Sequence, residues 1–566
     1  MIRAARKRIV QVVGATLALA LLVHGPVVGS AAGTVEEDPV IRVGLFYGST
    51  ALDGANLLND VGSGYRLGYY DSQRAFQTLA QTTETAISVV KTQNVYYGTG
   101  VDWSGSGYYD SPASDVMVGC WHIVLPGSYG SFQEVQAAAG AYSGGFAAWI
   151  DGAWQARVGA YADQASAQAA QASLGLTGAT VTGTSSYGVS VVKTGTSQIL
   201  FQFDDSSGSL CLGILPGLDD SVKTETIFRG NTYYGGFQYQ RVGGGDLTVS
   251  SVLTLDDYIQ GVIVREMSSS WPLEALKAQA VCARTYAYRN YAAQRHSSQG
   301  FDLCNSTHCQ AYSGMSAVTA ESSRAVTETH GEYLWYDGEL IEAVYFSSDG
   351  GATESSENVW GGTLPYLVGK TDPYEAAVAD QIPNYNWTVT YTAQELTDLL
   401  NEKGYINSGI VDFRITGTSP TGNVTEITFT DSSGKSWSKV REDCRTFLGL
   451  RSQRYTVTGG SGAEGYPVNE GGSLSSLSGA YALDGNGNTV ALSGGTVYAI
   501  GGDGTVGAAE PAASGGSSTG VFTITGSGWG HSVGMSQWGA CAMAQQGHTY
   551  RDILNFYYTG IEVRTP

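Results

Sequence analysis

Three observations predict an α+β, multidomain and β-rich fold. A length of 566 residues sets a prior of three to four domains. Most of the chain reads as short β-branched or aromatic runs broken by glycine and asparagine, the pattern of strands joined by turns. Dense helical sequence is confined to a few places: the run from Leu255 through Tyr286, a short C-terminal stretch, and two segments inside residues 116–195.

The first 32 residues read as an export signal. Arg3, Arg6, Lys7 and Arg8 form a basic start, Ile9 to Val23 an apolar core of 15 residues, and Ser30-Ala31-Ala32 a small-residue cleavage site. Fifteen falls short of the roughly 20 residues a free-standing transmembrane helix needs. A cleaved signal is expected, with an uncleaved membrane anchor as the alternative. Removing this segment takes away four bases and no acid, so the net charge moves from −21 to about −25. A chain this acidic, with no basic stripe, is not a nucleic-acid binder. A sparsely charged surface rich in glycine and tyrosine suits carbohydrate, although acidity also serves solubility alone. The seven cysteines are odd in number, so at least one is unpaired or serves a metal.

Residues 38–115 open with the strand Val40-Ile41-Arg42-Val43-Gly44-Leu45-Phe46-Tyr47 and continue as short strands. Residues 116–195 contain an internal duplication. The first half runs Val118 to Leu125, a Gly127-Ser128-Tyr129 turn and the helix-prone Phe132 to Tyr142. The second runs Trp154 to Val158, a Gly159-Ala160-Tyr161 turn and the alanine-rich Gln164 to Leu174. A strand follows each helix, so two such units side by side give one sheet with both helices on one face. This arrangement resembles the sporulation-related repeat (SPOR) domain, whose members bind glycan strands stripped of stem peptides. An ordinary small α+β domain without a ligand fits the same residues. Residues 461–519 are rich in Gly, Ser, Ala and Asn and read as a β-rich or flexible insertion between 225–460 and 520–566.

The chemistry concentrates in residues 225–460 and 520–566. Leu255 to Met267 places Tyr258, Ile259, Val262, Ile263 and Met267 on one helical face, and Glu266 falls at its end. Pro272 fits the first turn of the next helix, with Ser270 or Trp271 at its cap. Leu273, Leu276, Ala280, Ala283 and Ala287 then repeat at helical spacing. A carboxylate between two packed helices is partly desolvated, which raises its pKa toward what a general acid needs. A capping or ion-pair role, with Arg265 or Arg284 as partner, explains the same position. Asp302 to Tyr312 carries Cys304, His308 and Cys309. Two thiols and an imidazole within six residues suit Zn²⁺, while a Cys304–Cys309 disulfide or free thiols remain alternatives. Tyr345-Phe346-Ser347-Ser348-Asp349-Gly350-Gly351 reads as a strand and tight turn offering polar donors. Gly526-Ser527-Gly528-Trp529-Gly530-His531-Ser532-Val533-Gly534-Met535-Ser536-Gln537-Trp538 is glycine-rich, so its backbone can approach a ligand or another segment. Gly547 to Tyr558 reads as a helix burying Ile553, Leu554, Phe556 and Tyr557.

These stretches resemble the stage II sporulation protein D / amidase enhancer family of bacterial cell-wall proteins, over about half of the chain. The resemblance implies that Glu266 is the catalytic glutamate of a peptidoglycan lytic transglycosylase. It implies substrate contacts at Arg284, Tyr286, Gln310, Tyr312, Ser347, Ser348, Gly350 and His531. It implies a structural zinc held by His296, Cys304, His308 and Cys309, and no organic cofactor. It implies export, glycan strands as substrate, a cell-wall amidase as partner, and a role in septal or sporulation wall remodelling. The other readings are a non-catalytic binder that enhances an amidase, and a structural wall or spore-coat protein. The family's usual glycine after the histidine is Ser532 here, so a side chain must fit where the family has none.

Overall fold

The computed structural model describes residues 35–99, 106–111, 116–459 and 520–566, with the backbone of six three-residue strands between 466 and 508. The export signal expected at 1–32 and most of the 461–519 insertion lie outside the described residues. The six short strands pair as three hairpins, the first joining Tyr466–Val468 to Gly472–Leu474. The chain divides into two compact units, residues 1–343 with 561–566, and residues 344–560. That boundary falls inside the 225–460 stretch read from the sequence as one core.

Both units are strand-rich with scattered helices, an α+β architecture. The first unit is built on two large sheets. One has seven strands, ordered Leu303–Cys304, Val40–Phe46, Leu247–Thr254, Gly236–Arg241, Leu212–Pro216, Tyr65–Tyr70 and Phe76–Thr82. Seven of the eight residues of Leu247–Thr254 are buried, because this strand is covered on both faces. Gly44, on the neighbouring strand, pairs with Cys304. A Cβ on Gly44 would stand 2.6 Å from the Phe301 ring, so a glycine is needed for the 301–304 segment to approach.

The other sheet has ten strands and absorbs residues 116–195. Trp121–Val124, α1 (Phe132–Gly140), Gly145–Ile150, Ala153–Tyr161, α2 (Gln164–Ser173) and Thr180–Thr182 follow in chain order as strand-helix-strand-strand-helix-strand. The four strands lie in the order fourth, first, third, second, a split β-α-β arrangement. Ser131 caps α1 by accepting from the Glu134 amide, and Asp163 caps α2 by accepting from the Ser166 amide. The helices cover the face bearing Ile123, Ala147, Ala156 and Val158. Much of the opposite face is packed within the unit. Phe146 and Ala148 pack there against Val90, Val95, Tyr108 and Val118, and His122 and Arg157 are buried. The sheet also runs on through Ile199–Asp204 and Val189–Lys193. Packing within the unit therefore covers the part of the sheet opposite the helices that bears Phe146, Ala148, His122 and Arg157.

From Leu247–Thr254 the chain turns directly into α3 (Leu255–Glu266), where Thr254 accepts from the Asp257 amide and Asp256 and Asp257 complement the helix start. Tyr258, Ile259, Val262 and Ile263 are buried, as the periodicity required, and Met267 is buried beyond the helix end. α4 (Leu273–Ala292) is buried almost all round, which its alanines permit. Pro272 itself is the cap residue, one position before the expected first turn. α5 (Ala320–Thr327) packs on both.

The second unit carries its own core. Leu396 and Leu400 of α6 (Ala393–Glu402) join Phe413, Phe429, Phe522 and Ile524 from two three-stranded antiparallel sheets. α7 (Gln537–Gln545) and α8 (Tyr550–Tyr557) follow the glycine-rich segment. Ile553, Leu554 and Tyr557 are buried as expected, while Phe556 is only half-buried.

Candidate functional site

Glu266 is the last residue of α3 and is half-buried. The chain leaves the helix in extended conformation at Met267, whose amide still donates to the Ile263 carbonyl at 2.8 Å. Ser268 to Trp271 then form a turn, closed by the Trp271 amide on the Ser268 carbonyl at 3.0 Å. Glu266 is thus held between a buried methionine and the helix–turn–helix corner. Its charge acts on the buried Tyr258 hydroxyl, whose pKa is raised well above the ordinary value by burial first, then by nearby negative groups that include Glu266. Arg284 does not serve as its counter-ion. The Arg284 guanidinium is fully buried and donates to Asp256 at 2.8 Å and to the Glu332 and Val326 carbonyls.

That placement corrects part of the expected substrate surface. Arg284 ties α4 to the start of α3 and to the loop after α5, so it braces the frame. Gln310 is buried, with its amide donating to the Ala283 carbonyl at 3.3 Å. Tyr312 is buried against Tyr258, ring centres 5.0 Å apart. Gln310 and Tyr312 line the inside of the fold behind the corner. Tyr286 is only partly covered. Its pKa is raised by burial, then by the charge of Glu342.

The four expected metal ligands come together. One ligand atom from each of His296, Cys304, His308 and Cys309 lies within 4.8 Å of the others. His296 Nε2 is 3.3 Å from Cys309 Sγ, and His308 Nδ1 is 3.6 Å from Cys304 Sγ and 3.7 Å from Cys309 Sγ. Tetrahedral zinc with ordinary Zn–S and Zn–N bonds sets such atoms about 3.3–3.8 Å apart. The His296 ring is aimed by its other nitrogen, 2.9 Å from Gln299 Oε1, and by stacking on Phe301. Both cysteines are free thiols, so the disulfide alternative is not the arrangement seen. Their mutual hydrogen bond holds the Cys304 thiol well below the usual range and pushes Cys309 up, so one of the two is the ready thiolate. A thiolate is the form a metal binds. The donor set therefore fits a four-ligand structural zinc.

In the second unit, Ser347, Ser348 and Gly350 lie on the expected strand and turn. Gly350 and Gly351 both have positive φ, 69° and 117°, so the turn needs its glycines. Ser348 is buried, and its hydroxyl and the Gly350 amide both donate to Glu375 Oε1. These two donors are spent inside the fold; Ser347 and Gly350 are themselves partly exposed. Ser348 and Trp529 exchange backbone hydrogen bonds of 3.1 and 2.7 Å, which fixes the glycine-rich segment to this turn. His531 is internally satisfied. Nε2 donates to the Tyr345 carbonyl at 3.1 Å, and Nδ1 accepts from the Val533 amide at 3.1 Å. Phe346 and Trp360 enclose the ring, and burial pushes its pKa down to about 4. It is a neutral structural histidine at physiological pH. Trp529 on the same segment is exposed under Arg451. Sequence reasoning missed one grouping here, the buried acids Asp349, Asp372 and Glu375. Its only sequence signal is the three-residue spacing of Asp372 and Glu375, which says nothing of Asp349.

A family model described as Stage II sporulation protein matches residues 243–336. That stretch contains Glu266 and all four clustered cysteines and histidines. The chain is 32% identical over 324 residues to the amidase enhancer of Bacillus subtilis (strain 168), covering 53% of this chain and 39% of that protein. It is 31% identical over 338 residues to an uncharacterized protein of Brachyspira hyodysenteriae (strain ATCC 49526 / WA1), covering 59% of this chain and 73% of that one. Stage II sporulation protein D of B. subtilis is 26% identical over 324 residues, covering 55% and 74%. The chain thus spans about two fifths of the length of the amidase enhancer it matches. No helix among the described residues is long and apolar enough to cross a membrane.

Proposed function

Because the chain belongs to the stage II sporulation protein D family, we propose that it is an exported peptidoglycan lytic transglycosylase that acts on peptide-stripped glycan strands during sporulation or septal wall remodelling. The placement of Glu266 carries this reading: a half-buried carboxylate at a rigid corner between α3 and α4. Glycosidases that add water normally use two carboxyl groups. One suffices when the sugar supplies its own nucleophile. Glu266 protonates the glycosidic oxygen as the bond to C1 of the muramic acid breaks. The resulting carboxylate takes the proton of the same sugar's C6 hydroxyl, whose oxygen closes on C1. The product is a 1,6-anhydro ring, and Glu266 ends protonated as it began. A zinc on His296, Cys304, His308 and Cys309 would have all four positions filled by protein. It would brace the segment after α4 and leave substrate no place on the metal.

The name of the B. subtilis relative favours a second reading, a non-catalytic peptidoglycan binder that enhances an N-acetylmuramoyl-L-alanine amidase. Two parallel digestions separate the readings. Purified protein is incubated with peptide-free glycan strands, and separately with intact walls plus a cell-wall amidase. Anhydro-ended fragments by mass in the first digestion support the transglycosylase. Faster amidase release with no anhydro ends in either supports the enhancer.

A further inference from the structure

Three acids meet in the interior of the second unit. Asp349 and Glu375 are fully buried and Asp372 is 3% exposed. Among the described residues the ion pairs of this unit form elsewhere, as between Arg414 and Asp412 and between Arg445 and Glu442. Arg454 lies beside the turn, 3.8 Å from where a Cβ on Gly351 would stand, but it donates to the Thr421 carbonyl. Three adjacent negative charges without a cation cannot all persist in a dry interior.

Counting donors shows where the charge is relieved. Glu375 Oε1 accepts from the Ser348 hydroxyl at 2.5 Å and the Gly350 amide at 3.0 Å. Its Oε2 accepts from the Asp349 amide at 2.9 Å and the Ser536 hydroxyl at 2.6 Å. All four lone-pair sites are filled, the state of an ionised carboxylate. Asp372 Oδ1 accepts from the Tyr374 and Glu375 amides, and its Oδ2 from the Tyr557 hydroxyl at 2.5 Å. Asp349 Oδ1 accepts from the Gly351 amide at 2.7 Å, while its Oδ2 is buried with no donor. One oxygen of the three acids therefore has nothing to accept, and Asp372 Oδ2 has a site to spare. We propose that Asp349 is a neutral carboxylic acid sharing one proton with Asp372, and that this proton fastens the Ser347–Gly351 turn to the body of the second unit.

Burial raises Glu375 as well, and its four donors act against that; the remaining groups facing the pair bring no positive charge. Burial first, then the charges of Glu375 and Asp372, raises Asp349 well above the usual carboxylate range. Tyr557 is raised well above its ordinary value by burial, and Tyr385 is pushed up to about 12, again by burial first. Both stay neutral and bring no positive charge. A divalent cation suits the site poorly, because Glu375 is already saturated and hard cations take about six oxygens.

Asp349→Asn tests the proposal, since its amide donates without needing a proton. The wild-type acid is protonated when folded and ionised when unfolded. Unfolding then releases a proton above the unfolded pKa of about 3.9, so wild-type stability falls as pH rises from there through the raised folded pKa. The thermal midpoint of the second unit should therefore drop between pH 5 and pH 8 more in wild type than in Asp349→Asn. The variant should be the more stable protein at pH 8. An infrared difference spectrum at pH 8, wild type minus variant, should show the C=O stretch of a protonated carboxylic acid. Parallel pH profiles, or a variant less stable at pH 8, would overturn the proposal. So would millimolar Ca²⁺, Mg²⁺ or Mn²⁺ raising the wild-type midpoint alone. If the variant does not fold, the wild-type infrared band at pH 8 and its shift in D₂O decide the question, its absence overturning the assignment.

Discussion

Replacing Ser532 by glycine should stabilise the second unit. Ser532 sits at φ 64°, the left-handed region, which costs a residue with a Cβ about 1–2 kcal/mol. Its carbonyl accepts from the Glu354 amide at 2.6 Å, so the backbone cannot relax out of this conformation without losing that bond. The side chain is 1% exposed and its hydroxyl has no partner, a further cost of roughly 1–3 kcal/mol. Two effects oppose the change. Glycine gives the unfolded chain more freedom, about 0.4–1 kcal/mol, and the lost Cβ contact is worth about 0.8 kcal/mol. The balance favours Ser532→Gly by about 1–3 kcal/mol. For residues 344–560 each kcal/mol moves the midpoint about 2–4 °C, so calorimetry at pH 7 should find a rise of roughly 2–12 °C in the transition of this unit. Ser532→Ala, which removes the hydroxyl but keeps the strain, should gain less. A midpoint lowered by Ser532→Gly would refute the reasoning.

Other outcomes follow from the same structure. His531 and His122 are each pushed by burial from 6.5 down to about 4, so each takes up a proton more readily when unfolded. The histidines' own contribution to stability should be complete above pH 6.5 and fall as pH drops toward 4, by about 3 kcal/mol each. Midpoints measured from pH 4 to 7 should show this slope as the difference between wild type and His531→Gln, in the second unit's transition only. If His296, Cys304, His308 and Cys309 hold zinc, elemental analysis should find about one zinc per chain. Cys309→Ser should then lower both the zinc content and the first unit's midpoint. A metal-free protein of unchanged stability would contradict the site.

What the sequence revealed was local. The face Tyr258, Ile259, Val262, Ile263 of α3 needs only its 3.6-residue period, and it is buried. Cys304, His308 and Cys309 are close in sequence, and His296 lies one turn-rich loop away, so their meeting was readable. Arg284 was not readable. Its helical position fits a surface contact as well as a brace, and only its own burial and its Asp256 partner decide. Ser348 and Gly350 look like donors for a ligand until Glu375 claims them. Asp349 and Asp372 are brought together by tertiary packing that no periodicity records. The strand–turn–helix pattern of residues 116–195 was visible, but the burial of its second face depends on Val90, Val95 and Tyr108 from a different part of the chain.

The central claim is that Glu266 moves the proton. The direct measurement is digestion of peptide-free glycan strands by wild type and by Glu266→Gln, with products identified by mass and binding followed by co-sedimentation. The account predicts anhydro-ended fragments from wild type, and a loss of roughly 10²–10⁴-fold or more in Glu266→Gln, with binding and thermal midpoint retained. Release of anhydro products by Glu266→Gln at a near wild-type rate would contradict it.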